Sequence, residues 1–166
     1  MSHYTGDVIL TTRGEVPSDN VDKILLYDDD VEHGSTIALA LLLQRIGIPD
    51  DSMIIGLDPG RRIGFSVFYG GVEIERQLFT SMADMVLHIR HIFGHVRSGR
   101  RVIRIGDGDM SAAWRIYRTL DGISVPYKLE FINESGTSPR KRHCNSRGKR
   151  DMLAAKAIAQ RDQLVS

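Results

Sequence analysis

The feature that most constrains the fold is a continuous apolar run, residues 53–58, which ends in the carboxylate of Asp58. A run without polar alternation is typical of a strand that is covered on both faces of a sheet. Two further strands are predicted at residues 63–69 and 72–80, because proline- and glycine-containing turns separate the three runs. The sequence therefore predicts a group of three antiparallel strands.

Helices and strands alternate in the rest of the chain. Apolar residues at helical spacing predict an amphipathic helix over residues 82–96, and residues 101–105 form the next predicted strand. A helix capped by Ser111, a strand over 127–132 and an alanine-rich helix over 151–163 follow. Right-handed crossovers would bring the fourth and fifth strands beside the first. This order predicts an α/β fold with a mixed five-stranded sheet and helices on both faces.

Residues 1–50 are predicted to form a separate β/α extension or small module. Two short β-type runs, residues 8–12 and 23–27, flank a turn-rich segment and indicate either a hairpin or two strands of a small module. An apolar helix follows, for which Ser35 can serve as the N-cap. Glycine, proline and two aspartates end that helix, so the second predicted domain spans residues 51–166.

The composition excludes several classes of protein. Cys144 is the single cysteine, which excludes an internal disulfide and a zinc site built from several cysteines. No segment approaches the roughly 20 consecutive apolar residues that a membrane span requires. The N-terminus lacks the basic and then apolar layout of a signal peptide. We therefore expect a cytoplasmic protein.

A strongly basic segment precedes the last predicted helix, although the formal net charge of the chain is only +1. It contains Arg140, Lys141, Arg142, Arg147, Lys149 and Arg150. Positive charge at this density attracts phosphate groups. The alternative interpretation is an ordinary solvated loop.

Acidic residues follow the strands whose carboxyl ends are expected to meet. Asp58, Asp107 and Glu134 each end a predicted strand, and functional crevices of such sheets lie at this edge. Asp151 shares a helical face with alanines of the last helix, so it is expected to point toward the sheet. Carboxylates gathered in one place repel one another unless a cation lies between them. Mg²⁺ or Mn²⁺ suits such oxygen ligands, so a divalent metal site is predicted.

Each of these aspartates also has an ordinary structural interpretation. Asp58 can cap a turn, and Asp107 and Asp109 can be turn residues before a helix. Asp151 can stabilise the first turn of a helix through the helix dipole. Trp114 lies in a predicted helix and is expected to be core or half-buried packing rather than a platform for base stacking.

The first predicted hairpin reads Ile54-Ile55-Gly56-Leu57-Asp58-Pro59-Gly60 and then Ile63-Gly64-Phe65-Ser66-Val67. This pattern resembles the first hairpin of the ribonuclease H-like superfamily, particularly its Holliday-junction resolvase branches, RuvC and YqgF. The resemblance covers residues 53–166, and the order of elements carries it more than any one motif. It implies a Mg²⁺- or Mn²⁺-dependent nuclease that hydrolyses phosphodiester bonds in structured nucleic acid.

The resemblance also implies roles for individual residues. Asp58 would bridge two metal ions, and Asp151 on the last helix would hold one of them. The remaining ligand is Glu134 in the YqgF-like pattern and Asp107 in the RuvC-like pattern, and both stay open. Glu134 is followed by Thr137 and Ser138 at the spacing of a Thr-Thr type pair in the YqgF-like branch. The expected nucleic-acid contacts are Arg61, Arg62, Thr137, Ser138 and the six cations of the basic segment.

Two departures from the family leave an alternative function open. Ala154 stands where the RuvC helix usually carries a second aspartate, and residues 1–50 match neither branch. A non-catalytic nucleic-acid-binding protein that retains the fold is therefore the alternative. Branched DNA is the favoured partner, with RNA as the other option. A homodimer is expected from the resemblance, since a junction has two-fold symmetry.

Overall fold

A computed structural model of the chain describes residues 6–15, 23–133 and 147–161, without the side chain of Arg147. Backbone contacts divide the chain into two compact units, Met1–Pro49 and Asp50–Ser166. The sequence placed the boundary between them after residue 50. Each unit has a sheet of its own.

The described residues of the first unit form two short strands and two helices. These are β1 (Val8–Thr11), β2 (Ile24–Tyr27), α1 (Asp28–Glu32) and α2 (Ser35–Ile46). The strands pair in parallel, with Val8 opposite Ile24. A hairpin would pair them antiparallel, so the hairpin interpretation is wrong. The connection, residues 12–23, is long enough for the crossover that a parallel pair needs.

The second unit is an α/β domain built on five strands. Its elements are β3 (Ser52–Asp58), β4 (Ile63–Tyr69), β5 (Val72–Phe79), α3 (Met82–His95), β6 (Arg100–Gly106), α4 (Met110–Leu120), β7 (Lys128–Ile132) and α5 (Arg147–Gln160). The strand order is β5-β4-β3-β6-β7. β3, β4 and β5 are antiparallel to their neighbours in that group, whereas β6 and β7 run parallel to β3. The predicted α/β class and the mixed five-stranded sheet are confirmed.

Helices cover both faces of this sheet. Phe65 of β4 points to one face, where its ring centroid lies 5.5 Å from that of His88 in α3. Its neighbour Gly64 points to the other face, because successive residues of a strand alternate, and α5 lies there. The core of the unit therefore lies on both sides of β3 and β4, whose side chains are almost all buried.

The backbone of α5 lies directly against two glycines of the sheet. A Cβ on Gly56 would lie 2.2 Å from the carbonyl oxygen of Ala155 and 2.7 Å from the Cβ of Ala159. A Cβ on Gly64 would lie 2.1 Å from the carbonyl oxygen of Asp151. Such distances are far shorter than atomic contact, so no larger residue fits unless the helix moves. The two glycines therefore set how closely α5 approaches the sheet.

Two helices have a different N-cap from the predicted one. The N-cap of α2 is Gly34, with no side-chain cap, rather than Ser35. The N-cap of α4 is Asp109, whose side chain accepts a hydrogen bond from the backbone N–H of Ala112, so the Ser111 cap is wrong. Aspartate and serine cap equally well, and the path of the backbone decides between them.

The last helix is longer at its start than predicted. α5 begins at Arg147, four residues before Asp151, so its first turn is basic. The cations of residues 147–150 are therefore helical rather than part of a loop, which agrees with the good helix propensity of lysine and arginine. Asp151 lies beyond the first turn, so it does not serve as the acidic residue that stabilises the helix terminus.

We expect Gly56→Ala to lower the free energy of unfolding by roughly 1–3 kcal/mol or more, because the added methyl overlaps the backbone of α5. The matched control is Gly94→Ala in α3, where no atom lies within 4 Å of the added carbon. Alanine there should leave stability unchanged or raise it by up to about 1 kcal/mol. Urea unfolding followed by circular dichroism measures both, and equal effects would contradict the close contact.

Candidate functional site

A cleft of about 930 Å³ opens at the carboxyl end of β3. Its lining consists of Asp58, Pro59, Gly60, Arg61, Arg62, Thr80, Arg150 and Asp151. Asp58 comes from the first strand of the unit and Asp151 from its last helix. Folding thus brings together two acidic residues that lie far apart in the sequence.

Gly64 explains why these two residues meet. It pairs with Asp58 across the antiparallel ladder of β3 and β4. A Cβ on Gly64 would lie 3.1 Å from the Cβ of Asp58 and 2.1 Å from the carbonyl oxygen of Asp151. Both acidic residues therefore border the same point of the sheet. The bare backbone at Gly64 is what allows the helix to bring Asp151 to the end of β3.

Polar contacts hold α5 in register on this face. Lys156 of α5 donates to the carboxylate of Glu73 in β5 across 2.8 Å. Arg104 of β6 donates from Nη1 to the carbonyl oxygen of Ala159 across 2.6 Å, and its Nε donates to Glu130 across 2.9 Å. Arg104 and Glu130 are both buried. The helix is therefore fixed to the sheet at two successive turns beyond Asp151.

Glu73 is the most strongly perturbed of these groups. Two hydrogen bonds from Arg76, at 2.6 and 2.8 Å, lower the pKa of Glu73 to about 2 against the opposing effect of burial. Lys156 and the hydroxyl of Ser66 also donate to it and contribute to the same lowering. The carboxylate is thus charged over the whole physiological range and keeps its contact with α5.

The cleft carries more positive than negative charge. Arg61, Arg62 and Arg150 line it together with the two aspartates. Arg62 lies 3.5 Å from the carboxylate of Asp151, and the two side chains are 39% and 29% exposed. An ion pair that is this long and this exposed contributes only about 0–1 kcal/mol, so either partner can exchange to another ligand. The arrangement suits a phosphate group beside a bound cation.

Asp107 lies one residue beyond β6, at the same edge of the sheet as Asp58. Its backbone N–H donates to the carbonyl oxygen of Ile132 across 3.0 Å. It does not line the cleft, and within the described part of the chain Asp58, Asp107 and Asp151 do not form a compact group of three ligands. The structure therefore brings together two of the expected carboxylates and leaves Asp107 beside them.

Other expected site residues lie outside the described residues. They are Glu134, Thr137, Ser138, Arg140, Lys141 and Arg142. Arg147 begins α5, but its side chain also falls outside them. Lys149 is exposed in the first turn of α5, next to Arg150 of the cleft.

Thr80 lines the cleft, and the sequence analysis did not select it. It follows β5, which is antiparallel to β4 and therefore runs in the same direction as β3. Strands that run in one direction end at one edge of the sheet, so strand direction alone could have identified Thr80. The polar network around Glu73 was also missed, since nothing local in the sequence connects it with Lys156.

No protein-family model matches the chain, and a search of curated proteins found no significant match. None of the helices in residues 6–15, 23–133 and 147–161 has the length and apolar character needed to cross a bilayer.

The pKa of Glu73 predicts how stability depends on pH. Because its pKa falls from 4.5 to about 2 on folding, its contribution is complete above pH 4.5 and is lost as the pH falls toward 2. The stability advantage of the wild type over Glu73→Gln should therefore shrink across that window. Urea unfolding at a series of pH values measures it. Arg76→Gln should weaken the same pH dependence, and an advantage that stays constant down to pH 2 would contradict the assignment.

Proposed function

We propose that the protein is a divalent-metal-dependent nuclease of the ribonuclease H-like type, which hydrolyses phosphodiester bonds in structured nucleic acid. The observation that supports it is the meeting of Asp58 and Asp151 in one cleft with three arginines. Acidic residues at the end of the first strand and on the last helix are also what the resemblance implies. Branched DNA is the favoured substrate, and a homodimer is the expected assembly.

The donor set fits Mg²⁺ or Mn²⁺. Mg²⁺ sites in enzymes that act on phosphates use one or two carboxylates, together with water and the substrate's own oxygens. Asp58 and Asp151 provide two such carboxylates, and Asp107 or Glu134 would provide the third. When bound, the metal supplies an activated water and stabilises charge on the leaving oxygen.

The arginines of the cleft bind and orient the substrate. A guanidinium group offers paired N–H donors that match two oxygens of a phosphate, so Arg61, Arg62 and Arg150 hold the backbone of the nucleic acid. Arg62 leaves Asp151 at small energetic cost and turns to the phosphate. A cleft of about 930 Å³ is larger than a lone ion needs and accommodates a segment of backbone.

A non-catalytic nucleic-acid-binding protein is the second candidate. The pairing of Arg62 with Asp151 favours it, because a guanidinium group occupies one of the two carboxylates that line the cleft within the described residues. Such a protein would bind phosphates through the arginines and would not need the metal. Cleavage and binding assays on the same protein separate the two candidates.

Asp58→Asn and Asp151→Asn test the nuclease proposal. Each keeps the shape of the side chain and removes the charge that holds the metal. Loss of a residue that only supports a metal ligand lowers activity roughly 10–100-fold. Loss of a ligand itself should lower the rate of cleavage with Mg²⁺ or Mn²⁺ by more than that. Mn²⁺ affinity, measured by electron paramagnetic resonance, should fall in parallel. Asp84→Asn in α3, outside the cleft, is the control and should change neither.

The wild type provides the decisive outcomes. If it binds nucleic acid and cuts no branched DNA, duplex, hybrid or RNA with either ion, the non-catalytic candidate replaces the nuclease. If it neither binds nor cuts, both proposals fail.

Arg62→Gln tests the phosphate contact by a different measurement. The change removes one cation from the cleft, so affinity for duplex DNA should fall and the slope of log K against log salt should drop by about one. Fluorescence anisotropy in EDTA across a salt series measures both quantities. Arg90→Gln in α3, outside the cleft, is the matched control and should leave the slope unchanged.

A further inference from the structure

Three aromatic side chains form an exposed cluster on the second unit, and none of them lines the cleft. Trp114 and Tyr117 lie on α4 and Phe131 on β7. We call them the aromatic cluster. The exposed fractions of these residues are 47%, 38% and 37%. Their ring centroids are 5.3 Å apart for Trp114 and Tyr117, and 5.4 Å apart for Trp114 and Phe131.

Other residues form the buried face of α4. α4 buries its opposite face through Ala112, Ala113, Ile116 and Leu120. The rings of the cluster contact one another and leave a large part of their surface to solvent. Large apolar surfaces that stay exposed together are typical of binding sites.

Two arginines lie beside the aromatic residues of α4. Arg115 and Arg118 each follow one of the aromatic residues of α4 and are exposed. Among the described residues, neither guanidinium group has a carboxylate within ion-pair distance. α4 itself contains no acidic residue, and the aspartates at its two ends are its caps. The surface thus combines exposed rings with two cations that have no ion-pair partner among the described residues.

The cluster lies at the same edge of the sheet as the cleft. Phe131 pairs with Ile105 across β7 and β6, and Ile105 pairs with Leu57 of β3. Asp58 is the next residue after Leu57. Two strand spacings correspond to about 10 Å, so the backbone of Phe131 lies about that far from Leu57 near the end of β3, and its side chain points to the face opposite α5.

We propose that the aromatic cluster, with Arg115 and Arg118, binds single-stranded nucleic acid. Unpaired bases stack on the exposed rings, and the guanidinium groups contact the phosphates between them. Stacking suits any sequence because every base has a π-face. The proposal rests on the proposed function in one respect: the nucleic acid held in the cleft supplies the unpaired strand, which continues along the carboxyl edge of the sheet.

Charge favours this occupant over an apolar protein surface. Two arginines that lack a carboxylate partner in the described part of the chain, beside exposed rings, would be costly to bury against apolar side chains. Against a phosphodiester backbone both cations are neutralised, and arginine also stacks on bases. An acidic peptide offers charge without flat rings, so it satisfies the arginines and leaves the aromatic cluster without a stacking partner.

Trp114 reports on this site directly, because it is the only tryptophan of the chain. The full chain is titrated with oligothymidylate in EDTA, and the fluorescence of Trp114 should be quenched in a saturable manner. Tyr117→Ala should weaken binding about five- to 100-fold. Arg118→Gln should lower the salt slope by about one. Leu87→Ala and Arg90→Gln, both exposed on α3, are matched controls and should change neither quantity.

A second set of measurements separates this inference from the proposed function. Asp58→Asn and Asp151→Asn should keep the quenching, since the aromatic cluster needs no metal. Quenching by a chain that never cleaves nucleic acid supports the inference and not the nuclease. Cleavage without quenching, or equal affinities of Tyr117→Ala and Leu87→Ala, overturns the inference alone. Polyglutamate that quenches Trp114 as strongly as the oligonucleotide at equal salt also overturns it, in favour of an acidic protein partner.

Discussion

The contact between the backbone of α5 and the glycines of β3 and β4 is the constraint on which the candidate site depends. At Gly56 and Gly64 the helix lies where a side chain would otherwise stand. Because the contact at Gly64 is made by the carbonyl oxygen of Asp151, the same close packing that completes the core delivers an acidic residue to the end of β3. Fold and site are therefore not separable here: a larger residue at either glycine displaces the helix and Asp151 with it.

Polar contacts give that helix one position rather than several. Apolar packing of alanines against a sheet tolerates sliding, whereas the bonds from Lys156 to Glu73 and from Arg104 to Ala159 do not. The buried ion pair of Arg104 and Glu130 must overcome the cost of desolvation, so it adds little net stability. Its main effect is to fix the position of Arg104 and thereby of α5. Burial raises the pKa of Glu130, but hydrogen bonds from Lys128 and Arg104 lower it further than burial raises it, so the ion pair persists at neutral pH.

Local sequence patterns predicted two of the acidic residues that line the candidate site, Asp58 and Asp151. Asp58 follows an uninterrupted apolar run, and the alanines at helical spacing place Asp151 on the face of α5 that meets the sheet. That Thr80 lines the cleft whereas Asp107 does not depends on how the strand ends are arranged in three dimensions, beyond what strand direction predicts. The sequence also left open how much of Trp114 is exposed, because a helix pattern does not reveal whether another element covers that side of the helix.

The sequence by itself determined the type and order of the elements in the second unit, since hydrophobic periodicity and turn residues act within a few positions. Tertiary structure alone decided that β1 and β2 pair in parallel, that Asp109 rather than Ser111 caps α4, and that α5 begins at Arg147. It also decided which charged groups meet, as Lys156 and Glu73 do. These outcomes depend on distances between segments that are remote along the chain, and such distances are fixed only when the sheet and its helices pack together.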